Sequence, residues 1–146
     1  MKPELLFDAK ATLGEGPVWD ARSQTLYWID ILNKRIYAGS DILIKLDDLI
    51  GCLAPRENGG LILTLSGDER RSSFASLDLD SLQLTPLSAL SDEPSTNRFN
   101  DGKCDPRGRF LAGTMDMEEK NPMVRCIHSM ESRSPNSCVT VPSPTA

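Results

Sequence analysis

Short runs of apolar and β-branched residues alternate with polar turns along most of the chain. The clearest run, Thr25-Leu26-Tyr27-Trp28-Ile29-Asp30, has the aromatic and branched residues typical of strands. A polar turn followed by such a run recurs at 21–29, 57–65 and 106–115. The runs start tens of residues apart, about the length of a four-stranded propeller blade. The pattern predicts an all-β fold, with Trp19 and Trp28 in the core between adjacent sheets.

Other segments leave the pattern open or break it. Residues 42–53 are mostly apolar with interspersed Asp and Lys, so helix and strand both remain possible. Leu5-Leu6-Phe7 can form an edge strand, and 124–128 a last strand. From 129 to 146, ten of eighteen residues are Ser, Thr or Pro. We therefore assign 1–120 to N-terminal blades and expect 121–146 to be a divergent, disordered Ser/Pro-rich tail.

Composition narrows the choice of partners. The formal net charge is -5 and no basic run is present, which argues against a nucleic-acid partner. No apolar run approaches the roughly 20 residues that a membrane-spanning helix needs. Met1-Lys2-Pro3-Glu4 lacks the apolar core of a signal peptide. We expect a cytoplasmic protein that binds neither membranes nor nucleic acids.

The richest concentration of polar chemistry lies at 95–119. Two turn signals occur there, Asn100-Asp101-Gly102 and Asp105-Pro106-Arg107-Gly108. Each is followed by residues that can form a strand, so the predicted order is turn, strand, turn, strand. Arg98, Asn100 and several carboxylates surround these turns, at the ends of strands. Binding groups concentrate on loops that a sheet holds in place, so this stretch is the candidate functional site.

The same stretch resembles a known family signature. The residues that carry the resemblance run from Arg98-Phe99-Asn100-Asp101-Gly102-Lys103 through Asp105-Pro106, Gly108-Arg109 and Ala112-Gly113-Thr114-Met115. Earlier, Gly14-Glu15-Gly16-Pro17-Val18-Trp19 and 26–30 match the start of the same pattern. Together they resemble the regucalcin (senescence marker protein) and gluconolactonase family over about 5–119. The resemblance implies the first half of a six-bladed β-propeller that binds one divalent metal ion and hydrolyses sugar lactones.

The resemblance also implies roles for individual residues. Glu15 matches a metal-ligating glutamate, and the ion could be Ca, Zn, Mn or Mg. Arg98, Asn100 and Glu118 match residues that hold the substrate's hydroxyls. No catalytic residue is expected within this chain, because the family's acid/base aspartate and remaining metal ligands lie in later blades. The family reaction is attack of a metal-activated water on the lactone carbonyl.

Two further functions remain open. Since the expected later ligands lie beyond this chain, the lactonase activity is expected to be impaired. The chain could instead be a truncated, non-catalytic isoform or fragment that acts at most as a calcium-binding or interaction module. A general propeller interaction module is favoured only if replacing Glu15 leaves metal affinity unchanged.

Overall fold

The computed structural model describes residues 2–67, 72–120 and 125–128. These ranges are all-β, as the alternating pattern predicts, and none of them forms a helix able to cross a membrane. The strands are β1 (Gly14–Asp20), β2 (Thr25–Asp30), β3 (Arg35–Ala38), β4 (Asp41–Lys45), β5 (Leu49–Pro55), β6 (Leu61–Ser66), β7 (Ser73–Leu77), β8 (Leu84–Ala89), β9 (Asn97–Cys104), β10 (Phe110–Asp116) and β11 (Cys126–His128).

The strands form three sheets, each a simple meander of sequence neighbours. The first sheet contains β1 to β4, the second β5 to β8, and the third β9 to β11. Every pairing is antiparallel. The second sheet lies in the middle, because β5 contacts both β1 and β9. This is the arrangement of successive propeller blades, and it confirms the predicted partial propeller.

Each sheet has a β-bulge near the start of its first strand, after the second residue of β1 and β5 and after the third residue of β9. Two residues of the first strand oppose one residue of the second, which bends the strand and re-aims its side chains. The bulges are Gly16-Pro17 opposite Trp28, Gly51-Cys52 opposite Thr64, and Asn100-Asp101 opposite Gly113. The repeat predicted from turn-and-strand spacing therefore extends to a detail of backbone pairing that the spacing does not show.

One of the two predicted turns is wrong and the other is confirmed. Asn100-Asp101-Gly102 lies inside β9 and not at a turn, because the bulge lets these residues stay paired with β10. Asp105 does begin a tight turn: its N–H donates to Arg109 O at 2.9 Å, and Gly108 N–H donates to Asp105 O at 2.9 Å. The residues of the first motif are compatible with both a tight turn and a bulged strand. Pairing of β9 with β10 selects the bulged strand.

The ambiguous segment contains two strands, β4 and β5, joined by 46–48. β5 is buried along nearly its whole length, since sheets cover both of its faces, and such strands lose the period-2 pattern. The predicted edge strand at Leu5-Leu6-Phe7 is wrong: these residues lie outside the strands, and Leu5 is 80% exposed. The predicted last strand is confirmed at β11, within the part assigned to the tail. The remainder of that tail prediction lies outside the described residues.

Two apolar clusters hold the sheets together. The cluster between the first and second sheets includes Ile29, Ile36 and Leu63. The cluster between the second and third contains Phe74, whose ring contacts Phe99 and Phe110 edge-on at centroid distances of 5.3 and 6.1 Å. Such edge-to-face pairs add about 0.5–1.5 kcal/mol beyond their buried area. Stacking of the sheets thus fixes β9 against β5.

The two tryptophans lie outside this core. Trp19 is 50% exposed, so its predicted burial is wrong. Its neighbour Val18 packs toward the second sheet, and alternation along β1 directs Trp19 to the opposite face. Trp28 is half-buried: its ring stacks on Tyr37 at 3.9 Å, and its indole N–H donates to Gly39 O at 2.8 Å.

Candidate functional site

The candidate residues lie toward one edge of the stacked sheets, which we call the leading edge. At this edge the first residue of the first strand in each sheet pairs with the last residue of the second strand in the same sheet. The pairs are Gly14–Asp30, Leu49–Ser66 and Asn97–Asp116. The connection 46–48 between the first two sheets is short, so the ends it joins lie together. Glu15 is the second residue of β1, Arg98 the second of β9, and Glu118 follows β10.

Arg98 and Asn100 are brought into direct contact. Arg98 Nη1 donates to Asn100 Oδ1 at 2.9 Å and to the carbonyl of Phe99 at 3.0 Å. Arg98 is half-buried, whereas Asn100 is exposed. The Oδ1 atom of Asn100 accepts from the Arg98 guanidinium. The NH₂ group of the same amide is therefore the part that can donate to a ligand. The pair thus presents N–H donors, which suit hydroxyl and carbonyl oxygens.

Close packing of two backbones holds this pair in place. A Cβ on Gly51 would lie 2.3 Å from Phe99 Cβ and 2.7 Å from the Phe99 carbonyl oxygen, so only glycine permits this approach. Ser66 Oγ accepts the backbone N–H of Phe99 at 3.0 Å. A Cβ on Gly102 would lie 2.4 Å from Cys52 Sγ. The first strand of the second sheet therefore supports both sides of the Asn100-Asp101 bulge.

Glu118 lies in a turn that Asp116 organises. The carboxylate of Asp116 accepts the backbone N–H groups of Glu118 at 3.1 Å and Lys120 at 3.2 Å. The Glu118 side chain is exposed and forms an ion pair with Lys120 at 2.7 Å. The turn begins where β10 pairs with the start of β9, at the Asn97–Asp116 pair. The structure thus places Glu118 at the same edge as Arg98, with its carboxylate engaged by a lysine.

Glu15 is exposed and precedes the Gly16-Pro17 bulge. A hard divalent ion held by a protein takes several oxygen ligands. Among the described residues no group of three or more His, Cys, Asp or Glu side chains could hold a metal ion. Glu15 is therefore a candidate ligand that belongs to no such cluster within the part of the chain that the structure describes.

Beneath the bulge lies a thiol that sequence reasoning did not single out. Cys52 is buried, and its Sγ lies 3.3 Å from the Thr64 hydroxyl. Burial raises the pKa of the Cys52 thiol to about 12; the Thr64 hydrogen bond opposes this rise and the charge of Asp101 adds to it. Such a thiol stays protonated at neutral pH, so Cys52 acts here as a small core residue.

Two more residues that the sequence did not reveal lie just before the motif. Asn97 Nδ2 donates to Glu93 Oε1 at 2.8 Å, and both residues are buried. Both belong to a polar stretch that reads as an ordinary loop. No local pattern distinguishes a buried carboxylate there from a solvated one, because the covering atoms come from distant parts of the chain.

Comparison with known proteins supports the resemblance. A family profile described as "SMP-30/Gluconolactonase/LRE-like region" matches residues 13–141. The chain is 33% identical to regucalcin of Danio rerio over 129 residues, 85% of this chain and 42% of that protein. It is 40% identical to 6-deoxy-6-sulfogluconolactonase of Pseudomonas putida over 110 residues, 72% of this chain and 36% of that protein. The chain thus spans about two fifths of the length of these relatives.

Solved structures agree with the fold. A luciferin-regenerating enzyme superposes with a TM-score of 0.64 at 28% identity, covering 81% of this chain and 42% of that chain. A calcium-binding protein, regucalcin from Agrobacterium tumefaciens, superposes with a TM-score of 0.68 at 24% identity, covering 81% of this chain and 40% of that chain. At that identity the second likeness supports the fold alone.

Proposed function

Because the chain belongs to the SMP-30/gluconolactonase/LRE-like family, we propose that its three sheets carry the substrate-holding part of a sugar-lactone hydrolase site. The observation that carries this proposal is the Arg98–Asn100 pair, joined at 2.9 Å at the bulge of β9. The Pseudomonas putida relative, named as a lactonase, supports the substrate class.

The pair would bind the substrate through its N–H donors. A sugar lactone offers hydroxyl oxygens and one carbonyl oxygen, all of which accept hydrogen bonds. Arg98 is held by two acceptors of its own strand, so little side-chain freedom remains to be lost when a ligand binds. Its position relative to Asn100 is thus set in advance, and this pre-organisation favours one orientation of the lactone ring.

Glu118 would supply a further hydrogen-bond acceptor for the substrate. Its carboxylate accepts from hydroxyl groups in the same way that it now accepts from Lys120. Because both side chains of this ion pair are exposed, exchanging the lysine for a substrate hydroxyl costs little free energy. Glu118 is therefore proposed as a substrate ligand whose ion pair with Lys120 breaks when the substrate binds.

Metal dependence is a separate part of the proposal. Glu15 would supply one oxygen ligand to a divalent ion, Ca, Zn, Mn or Mg, with further ligands from outside the described residues. The exposed carboxylate at the leading edge supports this role. We also propose that the lactonase activity of this chain is impaired, because the remaining metal ligands are expected beyond it. A cytoplasmic location and the lack of a nucleic-acid partner belong to the same proposal, and only the second of these is supported by the net charge of -5.

Hydrolysis of an aldonolactone by the purified chain, followed as acid release with and without a chelator, tests the function. Arg98→Ala is expected to lower kcat/KM about 10- to 100-fold, since hydrogen bonds to charged groups contribute about 1.5–3 kcal/mol. Arg107→Ala, in the exposed β9–β10 turn, is the matched control and should behave as wild type. Equal losses in both variants would contradict the assignment of Arg98.

The hydrolysis assay, together with a measurement of calcium binding, decides between the candidate functions. Turnover that chelator abolishes supports the metal-dependent hydrolase, and turnover that ignores chelator removes the metal from it. Calcium binding without turnover favours a non-catalytic calcium-binding module. If Glu15→Gln leaves the calcium affinity unchanged, the role of Glu15 as a ligand is wrong and a general interaction module is favoured.

A further inference from the structure

A buried carboxylate lies in the connection that leads into β9. Glu93 is 8% exposed, although it belongs to the polar connection 90–96. Its Oε1 accepts a hydrogen bond from Asn97 Nδ2 at 2.8 Å. Its Oε2 is buried and accepts no hydrogen bond from the described part of the chain. A buried carboxylate with only one hydrogen-bonded oxygen is costly unless a cation lies close to it.

The second oxygen faces a cation from another part of the third sheet. Arg125 Nη1 lies 3.6 Å from Glu93 Oε2 and donates to the carbonyl of Asp92 at 3.1 Å. Arg125 immediately precedes β11, and its carbonyl accepts from Thr114 N–H in β10 at 2.9 Å. Glu93 therefore connects the loop before β9 with the segment that enters β11.

The partner Asn97 is where the candidate site begins. Asn97 is the first residue of β9 and is followed directly by Arg98. Across the sheet Asn97 pairs with Asp116, whose carboxylate organises the turn that carries Glu118. A displacement of Asn97 would thus move the start of β9, which includes Arg98, relative to the Glu118 turn.

We propose that Glu93 is a positioning residue for substrate binding: through Asn97 and Arg125 it sets where Arg98, Asn100 and Glu118 lie. This inference rests on the proposed lactone-binding function. Glu93 does not touch the substrate, because its carboxylate is buried. It acts by fixing the start of β9, and displacements of about 1 Å in binding groups can cost about 100-fold in rate.

Two readouts on the full chain test the proposal. The first is the NMR signals of the Arg98 guanidinium and the Asn100 side-chain amide. The second is the affinity for an aldonolactam, in which ring nitrogen replaces ring oxygen so that the probe is not hydrolysed. Glu93→Ala is expected to shift both signals and to weaken binding about 10-fold or more. Glu93→Gln keeps an oxygen acceptor for Asn97 and is expected to restore most of the affinity.

The control is Asp92→Asn, which removes the same charge from the adjacent, exposed residue and should leave both readouts unchanged. If Glu93→Ala does not fold, Asn97→Ala replaces it and must perturb the same signals. Unchanged Arg98 and Asn100 signals in the folded variant would overturn the proposal. If the wild type does not bind the lactam, the proposed function fails, and the NMR signals still decide the positioning role.

Discussion

At the scale of single residues, carboxylates near the ends of strands organise the backbone. Asp20 accepts from Arg22 N–H at 3.0 Å, and Asp105 accepts from Arg107 N–H at 2.9 Å, in the corresponding turns of the first and third sheets. Asp30 and Asp116 hold the turns at the opposite end of their sheets. Glu15 and Glu118 are exposed, and both were singled out by the family resemblance. Acceptors tied to the backbone shape the fold, whereas the exposed carboxylates remain accessible to ligands.

Asp30 is predicted to make the first sheet sensitive to acid. Burial opposes its charge, but hydrogen bonds from Asn33 and from the backbone N–H groups of Leu13 and Thr12 outweigh burial and lower the pKa of Asp30. A group with a lowered folded pKa contributes stability above its unfolded pKa near 4, and loses it as pH falls through the folded value. Asp30→Asn should therefore destabilise the protein at pH 7 by about 1–3 kcal/mol.

Urea unfolding between pH 7 and pH 3 measures this effect. The difference in free energy of unfolding between wild type and Asp30→Asn should shrink as the pH falls below about 4. Asp41→Asn, at an exposed strand position, is the control and should show a small effect at every pH. A difference for Asp30→Asn that stays constant down to pH 3 would contradict the prediction.

At the scale of elements, the bulges of β1, β5 and β9 are equivalent in backbone pairing but contain different residues. The first bulge residue is Gly16 in β1, Gly51 in β5 and Asn100 in β9. Only the third sheet therefore presents a polar side chain at this repeated position. Repeated sheets supply the scaffold, and one substitution within the repeat supplies the proposed binding group Asn100.

Gly51→Ala is predicted to disturb the packing of the second sheet on the third. The added Cβ would lie 2.3–2.7 Å from Phe99 Cβ, C and O, and relieving such a clash requires backbone movement. Overpacking of this kind costs about 1–3 kcal/mol. Gly14→Ala is the control, since its Cβ would meet nothing nearer than 3.5 Å.

Urea unfolding of both variants gives the comparison, and the NMR signal of the Asn100 amide reports whether β9 has shifted. We expect a loss of stability and a shifted Asn100 signal in Gly51→Ala alone. Equal stability of Gly51→Ala and Gly14→Ala would mean that the two strands adapt to the extra methyl group without strain.

At the scale of the whole molecule, the outer face of the first sheet is an apolar surface. Trp19 is 50% and Ile42 51% exposed, and Leu5 and Leu6 are 80% and 70% exposed. Leu6, Phe7 and Trp19 line a cavity of about 570 Å³ together with Leu26 and Ala38. Exposed apolar surface of this kind promotes association.

The isolated chain is therefore predicted to self-associate through this face. Sedimentation velocity should show a sedimentation coefficient that rises with protein concentration. Trp19→Ser combined with Ile42→Ser should reduce that rise, because these changes remove apolar surface from the face. Leu82→Asn is the control: Leu82 is 38% exposed in the β7–β8 turn at a φ of 56°, a conformation that asparagine tolerates.

A monomeric wild type across the concentration range would contradict this prediction. An association unaffected by the double variant, but reduced by Leu82→Asn, would move the contact to the β7–β8 turn.

The sequence by itself determined what depends on neighbours along the chain. Alternation and turn chemistry predicted strands such as β2, β6 and β10 and the turn at Asp105, because strand period and turn geometry are local properties. The motif around Arg98 and Asn100 predicted the family for the same reason. Only the tertiary structure decided that Asn100-Asp101 is a bulge, that Trp19 is exposed and that Glu93 is buried beside Asn97. Each of these depends on contacts between separate segments of the chain, and local patterns contain no information on which atoms will cover a given side chain.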